Sequence, residues 1–481
     1  MEQQHLLSVS DEVFVNGGKS SLTLSVDGIL QWLDGGLIRR CLSVEKEVLG
    51  FSKVGRLITI RALVQTGADR FCFGSSAEGC LTRKSFVFEA VTEDSLRNLC
   101  EKIQGYIDSL GRPKKLFIFV NPFGGRKSAS KMFTNDIKPI LEDANIEYTL
   151  QETRYQLHAK EVSCSLDLTK YDGIICVSGD GILVEVVNGL LERKDWAVAL
   201  KMPLGVIPAG TGNGMIKSLL DSVNQPCTPA HATLAVVRGH KRSLDVATIW
   251  QGETAFFSVL MLAWGLVSDI DIESEKYRWM GSARIDFYAL KRILRLRKYN
   301  GSICFVPGPG FEDVGESNDS CVDSMEPLIV PRQHGYQGPN IDLKNLNWRK
   351  IEGPFVSVWL HNVPWGAENT MAAPDAKFED GYLDLIIVRQ CPKLALLSLM
   401  SELNNGGHVE SPYVVYIKVK AVILEPGPRT DDSMKEGIID SDGEVLARGK
   451  GTYKCNLKSL MAYDKIQVVV DQGLATLFTP I

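Results

Sequence analysis

The chain of 481 residues lacks any apolar run of about 20 residues, the length a helix needs to cross a bilayer. Its longest such stretch, Phe256 to Val267, is shorter and is interrupted by Ser258, Trp264 and Gly265. Met1 to Ser10 shows no basic segment followed by an apolar core, so no secretory signal is expected. The 11 cysteines include no C-x-x-C pair and sit at irregular positions, several within apolar runs. That pattern speaks against zinc and dithiol motifs and predicts reduced, packed thiols. There is no excess of positive charge either. Lys and Arg number 53 against 58 Asp and Glu, a net charge of −5, which excludes general nucleic-acid binding and leaves any anionic partner to a local basic patch. The seven histidines (His5, His158, His231, His240, His334, His361 and His408) show no metal-ligand spacing and are assigned no catalytic role. Two nucleotide fingerprints are also missing. No G-x-x-x-x-G-K-[ST] occurs, since Gly124-Gly125-Arg126-Lys127-Ser128 has the wrong order and spacing, and G-x-G-x-x-G is not matched. A soluble protein, or one attached to a membrane only peripherally, is the expectation.

What is present falls into three textures. Residues 1–110 read as short strands with turn signals, closed by a helix with Thr92 as N-cap and apolar positions Leu96, Leu99, Ile103, Ile107 and Leu110 at steps of three and four. This fits a β-rich extension, either a small barrel of pleckstrin-homology type or an undefined one. Residues 111–244 alternate strand, glycine loop and helix, which implies a parallel α/β sheet. Residues 245–481 return to strands and read as an antiparallel β domain, interrupted by a helical stretch from Tyr277 to Lys298. Within it, residues 307–350 carry Pro307, Gly308, Pro309, Gly310, an acidic stretch and little apolar periodicity, and are expected to form a disordered insertion.

Three apolar strands each end in a glycine-bearing loop: Asn121-Pro122-Phe123-Gly124-Gly125, Ser178-Gly179-Asp180-Gly181, and Pro208-Ala209-Gly210-Thr211-Gly212-Asn213. Ligands bind at strand C-termini in open α/β sheets. Glycine lets backbone N–H groups approach phosphate oxygens, and the helix N-termini that follow favour anions. One such loop is more often a plain turn; three together point to phosphate. Asp180 stands between two glycines, either as a base for an attacking hydroxyl or as a cap for the helix beginning near Ile182.

The order of these blocks is specific. Ser178-Gly179-Asp180-Gly181 running into Glu185-Val186-Val187-Asn188-Gly189, between the two other loops, resembles the catalytic domain of the diacylglycerol kinase and sphingosine kinase superfamily. Ala263-Trp264-Gly265, Asp269 through Arg278, and Gly281 resemble sphingosine kinases in particular, and Asp440-Ser441-Asp442-Gly443-Glu444 matches that family's late acidic motif. The resemblance spans residues 113–306 and 353–480.

It implies a phosphofructokinase- and NAD-kinase-like α/β nucleotide domain, a β-sandwich lipid domain, and an active site between them that uses ATP and Mg²⁺. Asn121, Pro122, Phe123, Gly124, Gly125 and Thr153 would line the nucleotide site, and Ser178, Gly181, Gly210, Thr211 and Gly212 would approach the phosphates. Arg278 and Arg284 would neutralise phosphate charge. Asp442, Gly443 and Glu444 would reach back to the nucleotide, Asp442 to its Mg²⁺. Ser178, Gly179, Asp180 and Gly181 would face the lipid hydroxyl with Asp180 as general base, while Asp271 and Glu275 would bind the sphingoid base, Asp271 at its amine. Met261 departs from relatives that place a small hydroxyl residue there. The run Phe287 to Lys298 mixes apolar and basic residues, which suggests reversible docking on an anionic membrane at the cytosolic face. The alternatives are a ceramide kinase or another lipid kinase of the superfamily, a relative acting on soluble substrates, and an inactive lipid-binding scaffold.

Overall fold

The computed structural model describes residues 9–34, 38–65, 79–125, 127–281, 283–317, 334–453 and 459–481, with the Arg278 side chain outside that description. Seven strands open the chain: β1 (Val9–Val15), β2 (Gly18–Leu24), β3 (Ile29–Asp34), β4 (Ile38–Ser43), β5 (Val48–Val54), β6 (Leu57–Gln65) and β7 (Leu81–Ala90). They form one antiparallel sheet in the order β4-β3-β2-β1-β7-β6-β5. Alternating residues turn inward, so Val13, Leu22, Leu30, Ile58, Ile60 and Phe88 are buried, with Trp32 edge-on to Phe86 and Phe88. The helix Glu93–Ser109 covers this core with Leu96, Leu99 and Ile103. Thr92 caps it as expected, accepting the Ser95 N–H at 3.2 Å.

The next four strands are parallel: β8 (Lys115–Val120), β9 (Glu147–Glu152), β10 (Gly173–Ser178) and β11 (Leu204–Pro208), in the order β11-β10-β8-β9. Every residue of β10 and β11 is buried, which is why these strands read as unbroken apolar runs. Val177 lies opposite both Val120 and Ile207, so the three glycine loops leave the sheet at one level.

The C-terminal half is an antiparallel sandwich welded to that sheet. The last strand, Ile466–Phe478, pairs parallel with β11 through Leu477 and antiparallel with Lys241–Gln251. A boundary at residue 244 therefore falls inside a strand. The expected disordered insertion is packed at its end. Trp348 and Leu343 are buried under the sandwich, and Tyr336 stacks on Trp196 at 4.6 Å. A few large side chains anchor a segment whose average composition is polar; residues 318–333 lie outside the described part. Among the described residues Cys41, Cys100, Cys164, Cys176, Cys227 and Cys391 are free thiols, but Cys304 is disulfide-bonded, contrary to the reading of uniformly reduced thiols. Among the described residues, no helix is long and apolar enough to cross a membrane.

Candidate active site

The site is built where the three loops touch. A Cβ on Gly125 would come within 2.8 Å of Gly210 carbon, one on Gly179 within 2.5 Å of the Gly212 carbonyl, and one on Gly210 within 2.3 Å of Gly179. These glycines exist because loop backbone meets loop backbone. Gly181 differs: nothing lies within 4 Å of its missing Cβ, and it opens onto the cleft. In the first loop Asn121 Oδ1 accepts the Phe123 N–H at 3.0 Å and its amide reaches Ser178 Oγ, leaving Phe123 exposed. Thr153, buried, follows β9 and bonds through its N–H to the Val120 carbonyl.

Asp180 is buried at the start of the helix Asp180–Leu191. Its carboxylate does not cap that helix. It accepts the N–H groups of Gly214 at 2.8 Å and Met215 at 3.0 Å, the first turn of the next helix, Gly214–Asp221. Burial pushes the Asp180 carboxyl up, opposed by those N–H bonds. Asn213 braces the same crossing: its side chain exchanges hydrogen bonds with the backbone of Gly210 and donates to Glu368 at 2.6 Å. Neither Asn213 nor Glu368 was singled out from sequence. Asn213 was visible within its motif, whereas Glu368 comes from the other half of the chain with no local signal.

The helical block after Asp180 does structural work. Glu185 accepts the N–H groups of Leu157 and Ala159, each at 3.0 Å, and so holds the start of the helix His158–Ser165. Asn188 bridges to the Phe257 backbone in both directions, at 2.7 and 3.1 Å, tying the helix to the sandwich. A Cβ on Gly189 would strike the Lys160 carbonyl at 2.5 Å, so the two helices cross closely there.

From the sandwich side, the turn Asp442-Gly443 is left-handed at both residues, with φ of 54° and 83°. The Asp442 carboxylate accepts three backbone N–H groups, Val259 at 3.0 Å, Leu260 at 2.9 Å and Met261 at 2.7 Å. It is thus engaged in holding that tight turn. Burial still lifts its carboxyl to about 6. Glu444 lies beside it, bonded by Gln156 at 2.6 Å, and burial raises it to about 7.

The helix Leu266–Ser274 sorts its carboxylates by face. Asp269 and Glu273, one turn apart, point into the sandwich: Asp269 meets Tyr299 hydroxyl at 2.7 Å and Arg297 at 3.0 Å, and Glu273 meets Arg297 at 2.8 Å and Tyr288 hydroxyl. Asp271 and Glu275 turn away. Glu275 pairs with the buried Arg284 guanidinium, and Asp271 lies in the field of both. Burial pushes the Asp271 carboxyl up, with Arg284 opposing. Arg284 is therefore ion-paired rather than free toward a phosphate. Among the described residues, no group of three or more His, Cys, Asp or Glu side chains is placed to hold a metal ion.

A nucleotide-type sheet with phosphate loops at its strand ends, roofed by a β-sandwich that lends carboxylates to the cleft, defines a kinase of the diacylglycerol kinase class. Residues 115–249 match the diacylglycerol kinase catalytic domain, and residues 347–461 match the YegS C-terminal NAD kinase beta sandwich-like domain. A crystal structure of a diacylglycerol kinase from Bacillus anthracis shares the fold, with a TM-score of 0.50, 20% identity and coverage of 76% of this chain and 97% of that one. Sphingosine kinase 2 of Arabidopsis thaliana is 61% identical over 97% of this chain and 96% of its own length. Sphingosine kinase 1 of the same plant is 60% identical over 98% and 96%, and human sphingosine kinase 1 is 33% identical over 70% and 87%. The chain belongs to the sphingosine kinase family.

Proposed function

We propose that the protein transfers the terminal phosphoryl group of ATP to the primary hydroxyl of a sphingoid long-chain base such as sphingosine, sphinganine or phytosphingosine. The observation that supports this reading is Asp271, partly exposed and outside the ion pairs that occupy its neighbours Asp269 and Glu273 with arginines. A protonated amine entering an apolar pocket needs such a partner, because desolvating an unpaired cation is costly. A ceramide, whose nitrogen is an uncharged amide, needs none.

Asp180 is the residue that would take the hydroxyl proton, and burial raises the proton affinity of its carboxyl, as a general base needs. The open backbone at Gly181 and the N–H groups of Thr211 and Gly212 are available to the phosphates, whereas the Gly210 N–H, counted with them from sequence, is taken by Asn213 at 3.1 Å. Mg²⁺ would neutralise the phosphate charge. It commonly sits on one or two carboxylates plus substrate phosphates, and Glu444, which has one polar partner, suits it better than Asp442, whose oxygens already accept three N–H groups.

Peripheral membrane docking at the cytosolic face fits the same geometry. Trp279, Phe287, Leu290 and Leu294 are 81%, 45%, 49% and 62% exposed, beside Lys291, Arg295 and Lys298, and Leu394 of the adjacent helix is 80% exposed. Arg292, counted in this patch from sequence, leaves it: the side chain is buried against Asp269 at 3.8 Å.

The direct test is Asp271→Asn. KM for sphingoid bases rises roughly ten-fold or more, the scale of a lost charged hydrogen bond, while KM for ATP hardly moves. Equal loss for charged bases and neutral N-acylated analogues would contradict the reading.

A further inference from the structure

Asp440 has no role in the site described above, and among the described residues it is the one carboxylate with both oxygens buried and poorly bonded. It sits on the strand Ile438–Ser441, opposite Ala263 of the strand that leads into the Asp271 helix. Its exposure is 0%, yet neither carboxylate oxygen accepts a hydrogen bond of good geometry. The Ser268 hydroxyl lies beside it as its side-chain donor, outside good bonding geometry. The charged groups that bear on it are both acidic, Asp271 first and then Asp442. Burial, and after it the charge of Asp271, hold the Asp440 carboxyl well above its ordinary range. Arg284, the cation that bears on Asp271, is taken by Glu275.

A buried carboxylate with no donor costs several kcal/mol, which is why buried acids are normally paired. Asp442, two residues further along the chain, shows the ordinary solution, with three N–H donors. Asp440 has no such set of backbone donors, only the Ser268 hydroxyl beside it, and the largest charge that bears on it is a second carboxylate, Asp271. Among the described residues Arg284 bears on Asp271, but no cation bears on Asp440. We propose that Asp440 is a second recognition carboxylate for the amino end of the long-chain base, so that the ammonium is held between Asp271 and Asp440. The inference deepens the long-chain-base reading and rests on it. An ammonium suits the place because its three N–H donors can serve two carboxylates at once, which a neutral amide with a single N–H cannot do.

The test measures binding of sphinganine and of neutral N-acetylsphinganine to the full-length protein as wild type, Asp440→Asn, Asp440→Ala and Asp271→Asn, with melting temperature recorded for each. Asp440→Asn is expected to weaken sphinganine roughly ten-fold or more while N-acetylsphinganine changes by less than about two-fold. The ligand-free variant should melt at the same temperature or higher, since an uncompensated buried acid has been removed. Asp440→Ala should give the same discrimination and serves if the Asn variant does not fold. Equal weakening of both ligands, or a lower melting temperature with unchanged discrimination, would make Asp440 a packing residue. Altered Mg²⁺ dependence of ATP binding with unchanged base affinity would assign it to a metal instead. If wild type itself fails to prefer the charged base, the long-chain-base reading fails and the proposal with it. If wild type and Asp271→Asn behave as expected and Asp440→Asn does not, only the role of Asp440 is lost.

Discussion

Asp180 carries two readings that a sequence pattern cannot separate. A carboxylate between two glycines at a strand end reads either as base or as helix cap, and the structure makes it a cap of the following helix, next to the exposed Gly181. Asp180→Asn should therefore lower kcat by roughly 10²–10⁴ and also destabilise the fold by about 1 kcal/mol through the weakened cap. Turnover at saturating substrate, measured on the folded variant, checks the first part, and thermal melting checks the second. Near wild-type turnover would remove Asp180 from the chemistry. Glu444 gives a pH signature. Its carboxyl is raised by burial to about 7 in the folded protein, above the ordinary 4.5. The folded state therefore binds that proton more tightly than the unfolded chain, and the associated stability is present below about pH 4.5 and lost as pH rises to about 7. Glu444→Gln should gain melting temperature relative to wild type on going from acid to mildly alkaline pH in the absence of nucleotide; a difference independent of pH would contradict it.

At the scale of elements, periodicity and end signals were legible and partners were not. Thr92, the buried runs of β10 and β11 and the glycine loops could all be read because each signal is local. The basic stretch Phe287 to Lys298 shows the limit. It forms part of the helix Ala283–Leu294 and its continuation, and spacing alone could not reveal that Arg292 turns inward to Asp269 while Lys291 stays outside over Tyr277 and Tyr288. Likewise, Asp442 looked free for a metal because its three N–H donors lie about 180 residues earlier in the chain. Two variants separate the faces of the basic helix. Replacing Phe287, Leu290 and Leu294 with Ser should abolish most binding to anionic vesicles. Replacing Lys291, Arg295 and Lys298 with Gln should weaken it by ~1 kcal/mol per residue at low salt and less at high salt. Arg292→Gln should instead lower the melting temperature. Sedimentation with vesicles and calorimetry distinguish these outcomes, and unchanged vesicle binding by both surface variants would remove this helix as the dock.

Across the whole molecule, the N-terminal sheet and the active site occupy opposite ends of the parallel strands. Arg112, just before β8, donates to the carbonyls of Val44, Glu45, Val48 and Leu49 at 2.5–3.3 Å. Arg238 adds the Lys46 carbonyl at 2.6 Å, and Arg83 pairs with Asp143 at 2.7 Å. The glycine loops leave from the other strand ends. Arg112→Ala should cost on the order of 2–4 kcal/mol by leaving buried carbonyls unpaired, with KM for ATP unchanged; a shifted KM would mean that the two ends communicate. The central claim concerns the reaction itself. The most direct measurement incubates the pure protein with labelled ATP, Mg²⁺ and, in parallel, sphinganine, sphingosine, phytosphingosine, ceramide and diacylglycerol. The account predicts label in the 1-phosphates of the three charged bases and little in the two neutral lipids. Label appearing chiefly in ceramide or diacylglycerol, or in no lipid at all, would contradict it.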